Sequence, residues 1–186
     1  MEHFYQNLEG WFTFPNLYSQ LVQVLPEGAT FVEVGVWKGK SLAYFIVEAV
    51  NNNKNLNIYA VDTWKGSKEH KDETCIVNDT LFEEFSTNMV LVNDKYKPLR
   101  MTSEEASKTF ADNSIDAIFI DASHEYEDVK NDLILWYPKV KSGGYFCGHD
   151  YSAAWPGVVR AVNEFFENKP GEIINFGELS WAARKT

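Results

Sequence analysis

Glycines and carboxylates stand at set distances along the first third of this 186-residue chain. In Phe31-Val-Glu33-Val-Gly35-Val-Trp-Lys-Gly39-Lys-Ser41 a short apolar run carries an acid, and two glycines follow, four positions apart. A second apolar run, Leu56 to Val61, ends in Asp62, 23 residues after Gly39. A backbone that must pass close to a ligand uses glycine, because a side chain would fill the space. A carboxylate about 20 residues further on is where nucleotide-binding sheets hold ribose hydroxyls. The chemistry indicated is the grip of a nucleotide-like cofactor, and the spacings sort the candidates.

Three cofactors use a strand, a glycine loop and a helix in this order. A dinucleotide loop needs G-x-G-x-x-G, so that its backbone can approach a pyrophosphate at the helix N-terminus. Val36 and Trp37 fill the space such a loop keeps open, which argues against NAD and FAD. A P-loop needs G-x-x-x-x-G-K-[ST]. Gly35-Val-Trp-Lys-Gly39-Lys40-Ser41 is one residue short between the glycines, although Ala117-Ile-Phe-Ile-Asp121 would pass for the magnesium-binding acid strand of a P-loop enzyme. The missing residue breaks the wrap of N–H groups around a phosphate, and Glu33 would set negative charge beside a triphosphate. A nucleotide hydrolase or kinase of this type stands as the alternative. The third cofactor, S-adenosylmethionine, carries a sulfonium cation, an amino group and a ribose diol, and no phosphate. Its site needs carboxylates, and Glu33, Gly35, Gly39, Ser41 and Asp62 suit it.

These residues need a frame that brings them together. Apolar residues at helical spacing predict helices over 15–24, 41–50, 79–91, 104–110, 127–136 and 157–167. Shorter apolar runs predict strands over 30–34, 58–61, 96–101, 117–120, 144–148, 172–176 and 179–183, the third weakened by Pro98. Strands alternating with helices imply right-handed crossovers and a doubly wound, mainly parallel Rossmann-like α/β sheet. The short link between the last two strands implies an antiparallel hairpin at one edge. Such sheets bind ligands outside the carboxyl ends of their strands, where the strand order reverses. The residues to read are therefore Glu33 with Gly35, Asp62, Thr102 with Ser103, Asp121, and His149 with Asp150. Four of these five ends carry an acid.

The length favours one domain over 1–186, with 1–25 an N-terminal cap segment and 26–186 the cofactor-binding core. A formal charge of -10 repels nucleic acid and anionic lipid, so neither is an expected partner. Cys75 and Cys147 match no zinc spacing, and Cys147 reads as a core thiol. Met1-Glu-His-Phe-Tyr has neither the basic nor the apolar region of a signal peptide, and no apolar stretch is long enough for a membrane span. A cytoplasmic location is expected.

Val32-Glu-Val-Gly35-x-x-x-Gly39-x-Ser41, then Val61-Asp62, then Ile120-Asp-Ala-Ser-His124-Glu-Tyr126, then Gly143-Gly-Tyr-Phe-Cys-Gly-His149-Asp150 resembles a class I S-adenosylmethionine-dependent methyltransferase. Within that class the chain is similar to the methyltransferase domain 24 group and to metal-dependent O-methyltransferases of catechol and macrolide-sugar type. The likeness runs from about Asn16 to the C-terminus. It implies that Gly35, Val36 and Gly39, beside Glu33, line the methionine part of the cofactor and that Ser41 supports it. Asp62, followed by Thr63, takes the ribose hydroxyls, and Asp121 borders the cofactor. Ser103 lies where relatives contact the adenine. It also reads as a helix N-cap, since Ser103-Glu-Glu-Ala is a capping pattern.

By the same resemblance, a divalent cation binds the substrate hydroxyl and lowers its pKa while a general base takes the proton. The implied ligands are Asp121, His149 and Asp150. Carboxylates favour Mg²⁺ or Mn²⁺, and His149 departs from the acidic pair of the relatives, which leaves the metal open. His124, three residues after Asp121, takes the place of the base. An imidazole titrating near pH 6.5 suits that work. The plain alternative is a loop histidine pairing with Glu125, Glu127 or Asp128. His3 and His70 read as surface residues.

Trp11-Phe-Thr-Phe14 either caps the cofactor and shapes the acceptor pocket or packs on the sheet edge. Trp64 to His70 and Tyr151 to Pro156 leave strands at the mouth of the site, with Trp64 and Trp155 offering flat apolar surface. The function expected is methyl transfer from S-adenosylmethionine to a hydroxyl of a small molecule or sugar. A binding module without chemistry is the non-enzyme alternative. The expected partner is the acceptor, and a homodimer stays open.

Overall fold

The structure, a computed structural model, describes residues 1–167, 169, 173–177 and 179–186. Helix α1 (Pro15–Val24) starts on a proline, whose missing N–H is no loss at the first helical position. Strand β1 (Thr30–Val34), helix α2 (Lys40–Asn51) and strand β2 (Asn57–Asp62) follow. Two short helices, α3 (Thr74–Val77) and α4 (Leu81–Asn88), lead to β3 (Tyr96–Arg100). Then come α5 (Ser103–Ser107), β4 (Ile115–Ile120), α6 (Tyr126–Trp136), β5 (Val140–Gly148) and α7 (Pro156–Phe166). The hairpin β6 (Ile174–Gly177) and β7 (Ser180–Arg184) closes the chain.

Among the described residues, seven strands form one sheet in the order β3-β2-β1-β4-β5-β7-β6. The first five are parallel, and β7 runs antiparallel between β5 and β6. The expected mainly parallel sheet with an antiparallel edge is therefore present. The order turns back between β1 and β4, where Val34 pairs with Ile120. Both faces are covered, which is why the central strands read as continuous apolar runs. On one face Phe31, Ala117 and Phe119 meet α1, α2 and α4. On the other, Val32, Ile118 and Phe146 meet α5, α6 and α7.

Several element ends differ from the sequence reading. The helix expected over 79–91 shortens to α4 because Asp79 adopts a left-handed backbone (φ 55) and a tight turn, Val90–Val92, ends it. Pro98 is accommodated because β3 is the outermost strand, with no neighbour on its free side among the described residues. Thr102, not Ser103, caps α5: its hydroxyl accepts the Glu105 N–H at 3.2 Å, and Glu105 in turn accepts from the Thr102 N–H at 3.0 Å. Glu172, the expected start of the sixth strand, lies outside the described residues. No helix among the described residues is long and apolar enough to cross a membrane. Cys147 is buried in the core and free, as is Cys75.

Candidate functional site

Backbone hydrogen bonds continue past the strand ends and lock four of them, β2, β1, β4 and β5, side by side. The Gly35 N–H donates to the Val61 carbonyl at 2.9 Å, the Asp121 N–H to Val34 at 2.8 Å, and the His149 N–H to Ile120 at 3.1 Å. The chain crosses most tightly at Gly35 (φ +86), where an added Cβ would lie 2.1 Å from the Asp121 carbonyl oxygen. Glycine is thus required for the first and fourth strand ends to pass each other at the reversal point.

Asp62 organises the glycine loop. Its Oδ2 accepts the Val36 N–H at 2.8 Å and the Trp37 N–H at 2.9 Å, and its Oδ1 accepts the Trp64 N–H at 2.7 Å. A carboxylate has about four acceptor positions, so one is left for a ligand hydroxyl. The same bonds weigh against the phosphate-loop alternative. The N–H groups of Gly35, Val36, Trp37 and Gly39 all have partners within the protein, the last donating to Val36 at 2.9 Å. Those four are already engaged and not free to wrap a phosphate.

Two clefts of about 420 Å³ each open along the carboxyl ends of the strands. The first is bordered by Gly35, Asp62, Thr63, Ser103 and Asp121. The second is bordered by Val36, Ser41, Asp121, His124, His149 and Asp150. They meet at Gly35 and Asp121. Glu33 and Gly39 stand apart from the open surface, and the Ser103 hydroxyl is already engaged. Ser103 reaches the first cleft, but its hydroxyl is held between Asp132 at 2.5 Å and the Trp136 indole N–H at 2.8 Å. Glu33 borders neither cleft. It is 1% exposed and accepts from the Ser41 hydroxyl at 2.5 Å. Gly39 likewise lies behind the loop, with the Met89 and Phe85 side chains where a Cβ would go.

Burial lifts the Glu33 carboxyl to about 8, against a smaller lowering by Ser41 and Tyr18. Its Oε2 and the Tyr18 hydroxyl lack partners at hydrogen-bonding geometry. The folded protein therefore holds the Glu33 proton more tightly than the unfolded chain does. Stability from this group is fully present below about pH 4.5 and is lost as pH rises through about 8. We expect urea denaturation of the wild type to lose a few kcal/mol between pH 5 and pH 8, since each tenfold difference in proton affinity is worth ~1.4 kcal/mol. Glu33→Gln should flatten that slope, and an unchanged slope would mean that Glu33 is not buried as a neutral acid.

At the junction of the clefts Asp121, His124 and Asp150 each offer one ligand atom, all within 4.8 Å of one another. His124 is gripped on three sides. Its Nδ1 lies 2.7 Å from Glu69 Oε1 and its Nε2 2.7 Å from Asp150 Oδ2. Its ring stacks on Trp155, with centroids 3.9 Å apart and planes at 22°. Its partners are thus Glu69 and Asp150, not Glu125, Glu127 or Asp128, and Asp128 instead accepts from Ser123 at 2.7 Å. Burial alone would lower the His124 pKa, but Asp150, Glu69 and Asp121 raise it above its ordinary value.

His149 is outside that tight trio. Its Nδ1 lies 3.2 Å from Asp150 Oδ2 and 3.6 Å from Asp121 Oδ1, and its Nε2 bonds the Thr13 hydroxyl at 2.9 Å. Burial opposes its charge, yet the two carboxylates carry its pKa up to about 10. Against burial, the two histidines hold the Asp150 carboxyl well below the usual carboxylate range.

The N-terminal segment divides between the second cleft and the face of the central strand β4 rather than the sheet edge. Gly10, Trp11 and Thr13 border the second cleft, whereas Phe14 is 1% exposed and packs on Phe119. Three expectations are corrected. Trp64 offers no surface: it is buried, and its indole N–H donates to the Trp37 carbonyl at 2.9 Å. His70 borders both clefts and packs on Trp37 at 4.4 Å. His3 is half-buried, bonding Glu48 at 2.9 Å and stacking on Tyr44.

A family described as methyltransferase domain matches residues 32–151. Protein R132 of Acanthamoeba polyphaga mimivirus is 32% identical over 142 residues, 73% of this chain. Protein y4gI of Sinorhizobium fredii is 29% identical over 152 residues, 80% of this chain. The chain spans 58% of the first relative's length and 16% of the second's. Among solved structures, the O-methyltransferase NovP superposes with a TM-score of 0.72 at 19% identity, covering 94% of this chain and 80% of its own. CalS11, a TDP-rhamnose 3'-O-methyltransferase, superposes with a TM-score of 0.62 at 18% identity, covering 91% and 76%.

Proposed function

The chain belongs to the methyltransferase-domain family, and we propose that it moves a methyl group from S-adenosylmethionine to a hydroxyl of a small molecule or sugar. The observation that carries this reading is the meeting of the two clefts at Gly35 and Asp121, with His124 beside them. The first cleft, with Asp62 at its wall, takes the adenosine. The sulfonium lies near Gly35, and the acceptor enters the second cleft between Trp11 and Trp155.

In the transfer, the acceptor oxygen forms a bond to the methyl carbon while the carbon–sulfur bond breaks in line. The electron pair returns to sulfur, leaving S-adenosylhomocysteine, and the hydroxyl proton passes to Nε2 of His124, whose ring must be neutral, with its own proton on Nδ1, to take it. Positioning supplies most of the acceleration in such a displacement. Asp121 and Asp150 would hold a divalent cation through hard oxygens, which suit Mg²⁺ or Mn²⁺, with the His149 Nδ1 3.6 and 3.2 Å from them. When bound, that ion would acidify the acceptor hydroxyl. The strand-end sequence Asp121-Ala-Ser-His124 and the charge of -10 both speak against a nucleic-acid base as acceptor.

The assay is release of S-adenosylhomocysteine from S-adenosylmethionine with Mg²⁺ or Mn²⁺ and a hydroxyl panel. Catechol and TDP-rhamnose, the sugar nucleotide that CalS11 is named for, head that panel. We expect release that depends on an added hydroxyl compound. Tight S-adenosylhomocysteine binding with no transfer to any hydroxyl, or transfer to amines alone, would overturn the proposal.

A further inference from the structure

The loop that leaves β2 reaches across both clefts. Its Glu69 borders each of them, and its carboxylate meets His124 at 2.7 Å across 55 residues of chain. The remaining contacts of the ring come from Asp150 on the other nitrogen and from Trp155 against the ring face. We propose that Glu69 is a positioning residue: by accepting Nδ1–H it fixes the ring and leaves Nε2 as the atom that exchanges a proton with the acceptor. The inference rests on the reading of His124 as the proton acceptor.

Three observations support it. Glu69 is a third exposed by its side chain and lies in a single 3₁₀ turn, Lys68–His70, outside the core, so it has no role in the core that would explain its placement. Burial works against its charge, but hydrogen bonds from its own backbone, His124 and Ser67 hold its carboxyl below the ordinary value, so it stays ionised. A base oriented by a third group is the general logic of activated sites. Here that group comes from a loop that also walls the cofactor cleft, so alignment of the base depends on the loop being seated. Asp150 bonds Nε2, on the side of the ring that borders the second cleft, and the acceptor hydroxyl takes over that contact.

The test uses the full chain saturated with S-adenosylhomocysteine. Long-range ¹H–¹⁵N spectra report the His124 ring, assigned by its loss in His124→Ala. A bound proton on Nδ1, protected from exchange, is expected in the wild type. It should be lost in Glu69→Ala and regained in Glu69→Gln, whose amide oxygen can still accept. S-adenosylhomocysteine affinity should change by less than about threefold in both variants, because a positioning group acts through the base rather than the cofactor. With any acceptor found in the assay above, Glu69→Ala should lower kcat about tenfold or more, without raising the KM for S-adenosylmethionine. A His124 signal unchanged in Glu69→Ala would overturn the proposal. So would a tenfold loss of cofactor affinity in both variants, which would make Glu69 a cofactor ligand. Full transfer by His124→Ala would instead defeat the proton-acceptor reading and leave the Glu69–His124 spectra unaffected.

Discussion

Gly35→Ala should cost on the order of 3 kcal/mol or more and abolish S-adenosylhomocysteine binding. Two effects add. Alanine at φ +86 is strained, and its Cβ would sit 2.1 Å from the Asp121 carbonyl oxygen and 2.7 Å from the Ala122 Cα. Those are backbone atoms, so no side chain can swing aside. Relief must come from parting β1 and β4 at their ends, which opens the junction of the two clefts. For a domain of this size a loss of that magnitude lowers Tm by roughly 6–12 °C. Gly28→Ala is the control. Gly28 also has a positive φ (+73), but nothing lies within 4 Å of an added Cβ, so only backbone strain of about 1 kcal/mol applies. Equal melting shifts in the two variants would show that the strand ends yield easily at Gly35.

His124→Ala and Asp150→Asn should each reduce methyl transfer by about 10²–10⁴-fold, the usual range for losing a positioned proton acceptor or its partner. Asparagine is the right replacement at Asp150, because that residue has a left-handed backbone (φ 58) that asparagine tolerates and alanine does not. Neither residue borders the first cleft, so S-adenosylhomocysteine affinity should stay within a few-fold of wild type, by calorimetry. Loss of cofactor affinity in both variants would mean that these side chains serve the cofactor and not the transfer.

The residues that depend on strand position are legible in the sequence, because a parallel sheet delivers the ends of its strands to one edge whatever the loops do. Asp62, Asp121 and Asp150 can be found in that way, and the glycine at 35 announces a close crossing without revealing its partner. What sequence spacing does not give is contact between loops. Glu69 and His70 sit on a stretch with no periodicity, and the bond from Glu69 to His124 spans 55 residues. Trp64 misleads because a tryptophan just past a strand can face either way. Its indole N–H finds the Trp37 carbonyl inside the loop and turns the ring into the core. The cap of α5 is displaced by one residue because Thr102 and Ser103 are both capping types, and only Thr102 has its glutamate partner three residues on. Glu33 looks like a cofactor contact by its place in the motif. Its strand position instead buries it behind the loop, where it reaches the clefts only through Ser41.

Whether the strand-end clefts hold S-adenosylmethionine or a nucleoside triphosphate decides everything that follows from them. Thermal unfolding of the full chain with saturating S-adenosylhomocysteine, and separately with ATP and Mg²⁺, separates the two. A ligand that binds only the folded state at about 100 times its Kd adds about 2.7 kcal/mol, or roughly 5–11 °C for a chain of this length. That rise is expected with S-adenosylhomocysteine, together with its loss in Gly35→Ala and no shift with ATP and Mg²⁺. A rise with ATP and Mg²⁺ and none with S-adenosylhomocysteine would refute the assignment of the clefts.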